Sequence, residues 1–339
     1  MDYTAIVVAI ISFAVTTLLG FVVIPYLRKL KFGQTILDDG PNWHKEKQGT
    51  PTMGGVMIVA GVLVSMVMGF GFSWLISGDY ANEMKHPKHL IYLIAGLVMA
   101  LSMCGIGFFD DYIKVVKKRN LGLTAKQKTF LQLLVSAAYL VTLRIAGMEE
   151  TYIPFVAKPI PITHGLGLLF WPIALMFIYG FTNAVNLTDG LDGLASSVTM
   201  VVACAFMLAS ANMNLGSVNC LSTALAGACA GFVVWNAKPA KVFMGDTGSM
   251  FLGGMVVALS FSIEKPILLL LMGCVYLFEA FSVILQVFCF KTFGKRLFKM
   301  SPIHHHFEMS GFSEPVIVLL FSIVALVGCL AALLISKYF

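Results

Sequence analysis

Ten apolar runs punctuate this chain, at about residues 3–27, 53–76, 89–109, 129–146, 164–182, 194–211, 220–236, 249–263, 266–289 and 315–336. A helix needs about 20 apolar residues to cross a bilayer. Backbone groups in hydrocarbon must find their partners inside the protein, so runs of this kind are spanning helices and little else. The chain is 58% hydrophobic and 12% charged; a soluble domain carries about twice that charge. The expected fold is therefore an all-α integral membrane protein of ten transmembrane helices. It forms one polytopic membrane domain over residues 1–339, because no polar stretch is long enough for a separate soluble domain.

The first run has no basic residue before it and is followed by Arg28, Lys29 and Lys31. It is too long for a signal peptide and is expected to be retained as a helix. The eighth and ninth runs meet at Glu264-Lys265-Pro266, which reads as a tight turn. The Met148–Thr163 loop, with Pro154, Pro159 and Pro161, reads as a short hairpin. Gly227 and Gly231 are four apart in the seventh run and permit close helix contact within the monomer. None of the seven cysteines forms a C-x-x-C pair, and nearly all lie in apolar runs, as buried free thiols do.

Orientation follows from the lysines and arginines, which concentrate in cytoplasmic loops. Seventeen of the 23 lie in loops after odd-numbered runs. Those loops are expected to be cytoplasmic, with both termini extracytoplasmic. Five aspartates fall on the same cytoplasmic face: Asp110 and Asp111, Asp189 and Asp192, and Asp246. Carboxylates are costly near hydrocarbon, so a layer of them points to a site.

Each motif has a structural and a chemical reading. Asp189 and Asp192 stand three apart where a helix is expected to begin near Leu191. If that turn is helical, both project from one face, and a cation or a donor-rich ligand is needed between them. Ordinary capping by Thr188 or Asp189 accounts for one of the two carboxylates. Asp110 and Asp111 sit where an apolar helix leaves the bilayer, at the level of a lipid headgroup; Asp110 and Lys114 also form an i, i+4 pair. Gly245-Asp246-Thr247-Gly248-Ser249 is not a P-loop, since the Gly-Lys-Ser/Thr ending is missing. Its glycines allow close backbone approach, and Thr247 or Ser249 serves for capping. Asp246 is thus free to hold a metal. Asn236 and Phe243 frame that loop, and an aromatic ring there is suited to stacking on a flat base. The segment from Lys47 through Thr52 to Gly55 opens the second helix, with Thr50 as N-cap and Pro51 at the first helical position. Lys47 and Thr52 are candidate substrate contacts. His304, His305 and His306 are adjacent and so point apart. Magnesium prefers oxygen, so they are read as phosphate or substrate contacts. Glu279 stands alone in an apolar helix, without an assigned role.

The ordered set D-D-Y-I-K, N-L-T-D-G-L-D-G-L, G-D-T-G-S and H-H-H-F-E resembles the polyprenyl-phosphate N-acetylhexosamine-1-phosphate transferase superfamily. With G-T-P-T-M-G-G early in the chain, it is most similar to the branch that handles a muramoyl-pentapeptide. The resemblance implies a ten-helix, termini-out fold with a cytoplasmic active site, in the multi-pass inner (plasma) membrane of a bacterium. It implies transfer of phospho-MurNAc-pentapeptide from UDP-MurNAc-pentapeptide to undecaprenyl phosphate, yielding lipid I and UMP, with Mg2+ as cofactor. Asp110, Asp111, Asp246 and His304 would be catalytic, and Asp246 and Asp189 would hold the metal. Lys47, Asn183, Asn186, Asp189, Asp192, Asn236 and Phe243 would serve the nucleotide or metal. Lys114, Lys126, His305 and His306 would serve phosphates or the muramoyl-peptide. Partners would be these two substrates, membrane lipid and a possible second copy in a homodimer; nucleic acid is not among them. One-step and two-step transfer, through an aspartyl-phosphate, both stay open. A secondary transporter is the rival class, but it would place ionisable groups at the bilayer midplane, where only Glu279 is expected.

Overall fold

The computed structural model describes residues 4–30, 47–76, 87–116, 122–156 and 158–336. Each expected apolar run is helical over most of its length, but the ninth is divided at Gly273, so its long helix starts only at Cys274. In chain order the elements are α1 (Thr4–Lys29), α2 (Gly55–Ile76), α3 (Pro87–Val116), α4 (Ala125–Ile145), the hairpin strands β1 (Glu150–Thr151) and β2 (Ile160–Pro161), α5 (Phe170–Thr188), α6 (Leu194–Asn212), α7 (Gly216–Asn236), α8 (Gly245–Ser262), the short α9 (Leu269–Met272), α10 (Cys274–Phe293), the short α11 (Ile303–Glu308) and α12 (Glu314–Ser336). Among the described residues, eight helices are long and apolar enough to cross a membrane. Helices α2 and α8 lie at two further expected runs and are not among those eight. Several basic residues used for orientation, namely Lys31, Lys45, Lys85, Lys117, Lys118, Arg119 and Lys337, lie outside the described residues, as does Tyr3 at the expected start of the first run.

Helix α8 is the axis of the bundle. From Thr247 to Ser262 every residue is buried. It packs on α3 and α5 along much of its length, and also on α2, α6 and α7. A helix apolar on all sides belongs in the middle of a bundle, with other helices taking the lipid contacts. Small residues let its neighbours close in. A Cβ on Gly254 would lie 2.7 Å from the Ala100 Cα, and one on Gly253 would lie 2.8 Å from the Thr182 Cα. The α1–α7 contact is built in the same way. A Cβ on Gly227 would meet the Ala9 carbonyl oxygen at 2.5 Å, and one on Gly231 would meet that of Phe13 at 2.7 Å. The small-x-x-x-small pair is therefore used within the monomer. Helix α1 turns Ile6, Ile10, Phe13, Leu18, Phe21 and Val22 outward, as a lipid-facing surface does.

Two local expectations are corrected and two are met. The helix opened by Thr50 and Pro51 starts later, at Gly55. The preceding residues instead pair with the loop before α8. The Phe243 amide donates to the Pro51 carbonyl, and the Gly54 amide donates to the Phe243 carbonyl, both at 2.8 Å. The helix expected near Leu191 begins at Leu194, behind Gly193 at φ +81. Asp189 instead follows α5 as its C-cap, so Asp189 and Asp192 lie in a non-helical turn and share no helix face. The hairpin in the Met148–Thr163 loop is present, pairing Glu150 with Pro161 and Thr151 with Ile160. So is the turn at Glu264, which bonds back to Phe261.

The closest approach that the site depends on is between α3 and the start of α8. A Cβ on Gly107 would lie 2.1 Å from the Asp246 carbonyl oxygen, whereas one on Gly105 would meet nothing within 4 Å. Overpacking of this kind costs about 1–3 kcal/mol. Gly107→Ala is expected to lower the thermal midpoint in detergent, with Gly105→Ala unchanged or raised; equal midpoints would contradict the close packing.

Candidate active site

Two helices bring the first three aspartates together. Asp110 and Asp111 lie near the end of α3, and Asp246 lies in the first turn of α8. One carboxylate oxygen from each falls within 4.8 Å of the others. Asp110 and Asp111 are almost fully buried, and Asp246 is half-buried. Adjacent residues on a helix diverge, and these two divide their work accordingly. Asp110 Oδ1 accepts the Leu123 amide at 2.8 Å, and its Oδ2 pairs with Lys114 at 2.5 Å. Asp111 Oδ2 accepts both the amide (2.9 Å) and the hydroxyl (2.8 Å) of Thr247. Asp111 thereby caps the N-terminus of α8 from another helix, where the exposed amides favour negative charge. Thr247 and Ser249 do not cap it: the Ser249 hydroxyl donates to the Gly245 carbonyl. Thr52 lies against the same turn, since a Cβ on Gly245 would approach its Oγ1 to 2.7 Å and Asp111 Oδ2 to 2.5 Å. Only a glycine, here at φ +70, fits between them.

Asp246 is the most heavily used carboxylate. Its Oδ1 accepts from Asn186 Nδ2 at 2.9 Å. Its Oδ2 meets Lys128 Nζ at 2.8 Å and Lys114 Nζ at 3.2 Å. Three carboxylates thus face two ammonium groups, which leaves the cluster net negative. All its donors are hard oxygens at close range, the set that suits a divalent cation such as magnesium. The expected contact was at Lys126, but it is Lys128 that reaches Asp246. Lys126 is exposed and makes no ion pair among the described residues. Lys128 is two residues further along α4, on the face turned to α8.

The remaining candidates form two further groups. Lys47 does not join the aspartate cluster. It sits between Asp192 Oδ1 and Glu314 Oε2, at 2.7 Å from each. Asp192 Oδ2 also accepts the Ala240 amide at 3.0 Å. Asn236 is spent on the chain itself: its Oδ1 accepts from the Gly193 amide (3.0 Å), and its Nδ2 donates to the Val242 carbonyl (2.9 Å). Phe243 is half-buried on the strand-like clip beside Pro51. Asn183 is drawn away as well, paired at both ends of its amide with buried Gln132.

Each histidine has a different neighbour. His304 Nδ1 meets Glu279 Oε2 at 3.0 Å, with both residues buried. Glu279 is therefore half of a buried pair. His304 Nε2 and Glu279 Oε1 have no partner among the described residues. The Nε2 lies over Gly190, where a Cβ would come within 2.2 Å of it. This puts His304 against the Asp189–Asp192 turn. His305 bonds Glu308 at 2.6 Å, and His306 accepts the Lys299 amide at 3.2 Å. Asp189 has no side-chain partner among the described residues. Burial, then the negative field of Asp246, Asp111 and Asp192, pushes its carboxyl well above the ordinary range. A carboxylate in that position is stabilised by an added cation.

Comparison with known proteins places relatives along nearly the whole chain. Residues 93–264 match the family described as Glycosyl transferase family 4. Residues 47–59 match signature 1 of phospho-N-acetylmuramoyl-pentapeptide-transferase. The chain is 42% identical over 335 residues to the phospho-N-acetylmuramoyl-pentapeptide-transferase of Halalkalibacterium halodurans, covering 98% of both chains. It is 43% identical over 324 residues to that of Acetivibrio thermocellus, covering 95% of this chain and 92% of the relative. It is 43% identical to that of Listeria monocytogenes over 322 residues, or 94% of each.

The cap across helices makes a prediction of its own. Asp111→Ala leaves the buried Thr247 amide unsatisfied, at a cost of about 1–3 kcal/mol. Asp111→Asn keeps an acceptor oxygen there. Thermal unfolding in detergent is expected to show a clear loss for Asp111→Ala and a much smaller one for Asp111→Asn. Equal losses would contradict the capping role.

Proposed function

The chain belongs to the phospho-N-acetylmuramoyl-pentapeptide-transferase family, and on that premise we propose that its reaction runs at the aspartate cluster between α3 and α8. The enzyme transfers phospho-MurNAc-pentapeptide from UDP-MurNAc-pentapeptide to undecaprenyl phosphate, giving lipid I and UMP in peptidoglycan synthesis. The observation that carries the site assignment is the convergence of Asp110, Asp111 and Asp246 within 4.8 Å, with Lys114 and Lys128 on Asp246.

Phosphoryl transfer is mostly positioning and charge neutralisation. Magnesium is the proposed cofactor, held by Asp246 with Asp189, whose unpartnered carboxyl lies in the same negative field. When bound, it neutralises the diphosphate and polarises its oxygens. Lys114 and Lys128 supply fixed positive charge beside the same carboxylate and draw the anionic substrates in. Asp110 or Asp111 orients the lipid phosphate or takes its proton. Asp110 has both oxygens engaged, whereas both contacts of Asp111 fall on Oδ2, so Asp111 Oδ1 remains available. A phosphate monoester has its second pKa near 6 and is mostly dianionic at neutral pH. Orientation is therefore the larger part of that role.

Asn186 holds Asp246 and Ser249 in register. Lys47, Asp192 and Phe243 form the nucleotide end, and Thr52 borders it beside Gly245. His304, against Gly190, lies where the turn carrying Asp189 is shaped; His305 and His306 face the muramoyl-peptide. The distribution of lysine and arginine supports a cytoplasmic site with ten spans and both termini outside. The proposed location is the bacterial plasma membrane, where the lipid acceptor resides.

Two outcomes are expected when UMP release is measured with purified protein and both substrates. Asp246→Asn loses at least about 10²-fold in rate, as removal of a preorganised charge contact does. Chelation of divalent cations stops the wild-type reaction, and added Mg2+ restores it. Near-normal turnover of Asp246→Asn would remove that residue from the metal role.

A further inference from the structure

Glu314 opens the last helix and is 2% exposed. It is a lone carboxylate at the start of an otherwise apolar helix, where charge is retained only against partners. Its partners come from three separate loops. Oε1 meets Lys238 Nζ at 2.6 Å, and Oε2 meets Lys47 Nζ at 2.7 Å. Oε2 also accepts the Asp192 amide at 3.3 Å. Lys47 closes the circuit on Asp192 Oδ1. One carboxylate thus ties α12 to the segment before α2, the turn before α6 and the loop after α7.

We infer that Glu314 is a positioning residue for the nucleotide end of the site, holding Lys47 against Asp192 so that a donor is fixed for the incoming nucleotide. The inference rests on the transferase reading above. Glu314 is too buried to be reached by a ligand, whereas the Lys47 and Lys238 side chains are 15% and 42% exposed. An ammonium has three N–H donors. Lys47 spends two on carboxylates and keeps one. A free lysine side chain would lose about 2 kcal/mol of rotamer entropy on binding; here the ordering is done beforehand. Two lysines face Asp192 and Glu314, so the group is formally neutral. It offers a directed hydrogen bond, in contrast to the aspartate cluster, where net charge does the work.

The test is steady-state UMP release by the full-length protein, varying each substrate in turn, with UMP binding measured by calorimetry. Glu314→Ala is expected to raise the KM for UDP-MurNAc-pentapeptide about tenfold, the equivalent of ~1.4 kcal/mol. The KM for undecaprenyl phosphate and kcat are expected to stay within about threefold, the signature of lost uniform binding. Lys47→Ala is expected to give at least that shift, and adding Glu314→Ala to it should weaken binding no further, because both act through one donor. An unchanged nucleotide KM, an equal shift for both substrates, or additive effects would overturn the inference. If Glu314→Ala does not fold, Glu314→Gln carries the test. It keeps the shape and one acceptor but loses the charge, and is expected to weaken UMP binding by a smaller factor; unchanged UMP binding would overturn the inference. Wild-type protein that binds UMP but releases none from substrate would defeat the transferase reading instead, and the calorimetric comparison would still decide the role of Glu314.

Discussion

The site depends on one contact, that of Asp111 with the first turn of α8. A helix N-terminus presents unsatisfied amides, and in a bundle core these cannot be left to water. Asp111 answers the Thr247 amide and hydroxyl from α3. Doing so brings α3 close enough that only glycine fits at position 107. Asp246 is one residue before Thr247, so the cap that stabilises α8 also places Asp246 beside Asp110 and Asp111. Structural need and the proposed chemical use meet in the same carboxylate, and the concentration of negative charge is partly offset by Lys114 and Lys128.

Around that contact the site divides into two electrostatic regimes. At the aspartates, carboxylates outnumber ammonium groups, which fits a divalent cation and a diphosphate. At Lys47, two carboxylates and two lysines balance, which fits directed recognition. The Glu279–His304 pair lies beside the turn that joins these regions. Glu279 is the deep carboxylate that a transporter reading would need, but it is engaged by His304, which lies against the Asp189–Asp192 turn.

The helices were legible because bilayer length and hydropathy allow few alternatives; the break at Gly273 inside the ninth run was not, because the residues around it are as apolar as the rest. The identities of Asp110, Asp111 and Asp246 were legible too, as charges that an apolar chain does not keep without cause. Their partners were not. Lys126 and Lys128 lie in the same polar segment, and only the rotation of α4 against α8 selects Lys128. Asp189 and Asp192 read as one helical face by their three-residue spacing, but Gly190 and Gly193, the latter at φ +81, make the segment a turn. Glu314 had a readable sign, a single acid at the head of an apolar helix. Its function emerges only when that helix packs beside loops far away in sequence. Asn183 and Asn236 show the converse: polar residues next to a motif that satisfy buried neighbours.

On the proposed reading, Asp246 would hold one divalent cation at the α3–α8 contact, and that cation would neutralise the substrate diphosphate. Anomalous diffraction from crystals grown with Mn2+ in place of Mg2+ and with the nucleotide substrate tests it directly. The expected result is a single strong peak within direct coordinating distance of an Asp246 carboxylate oxygen, next to the substrate diphosphate. A peak elsewhere, or a bound diphosphate at the aspartates with no metal beside it, would contradict it.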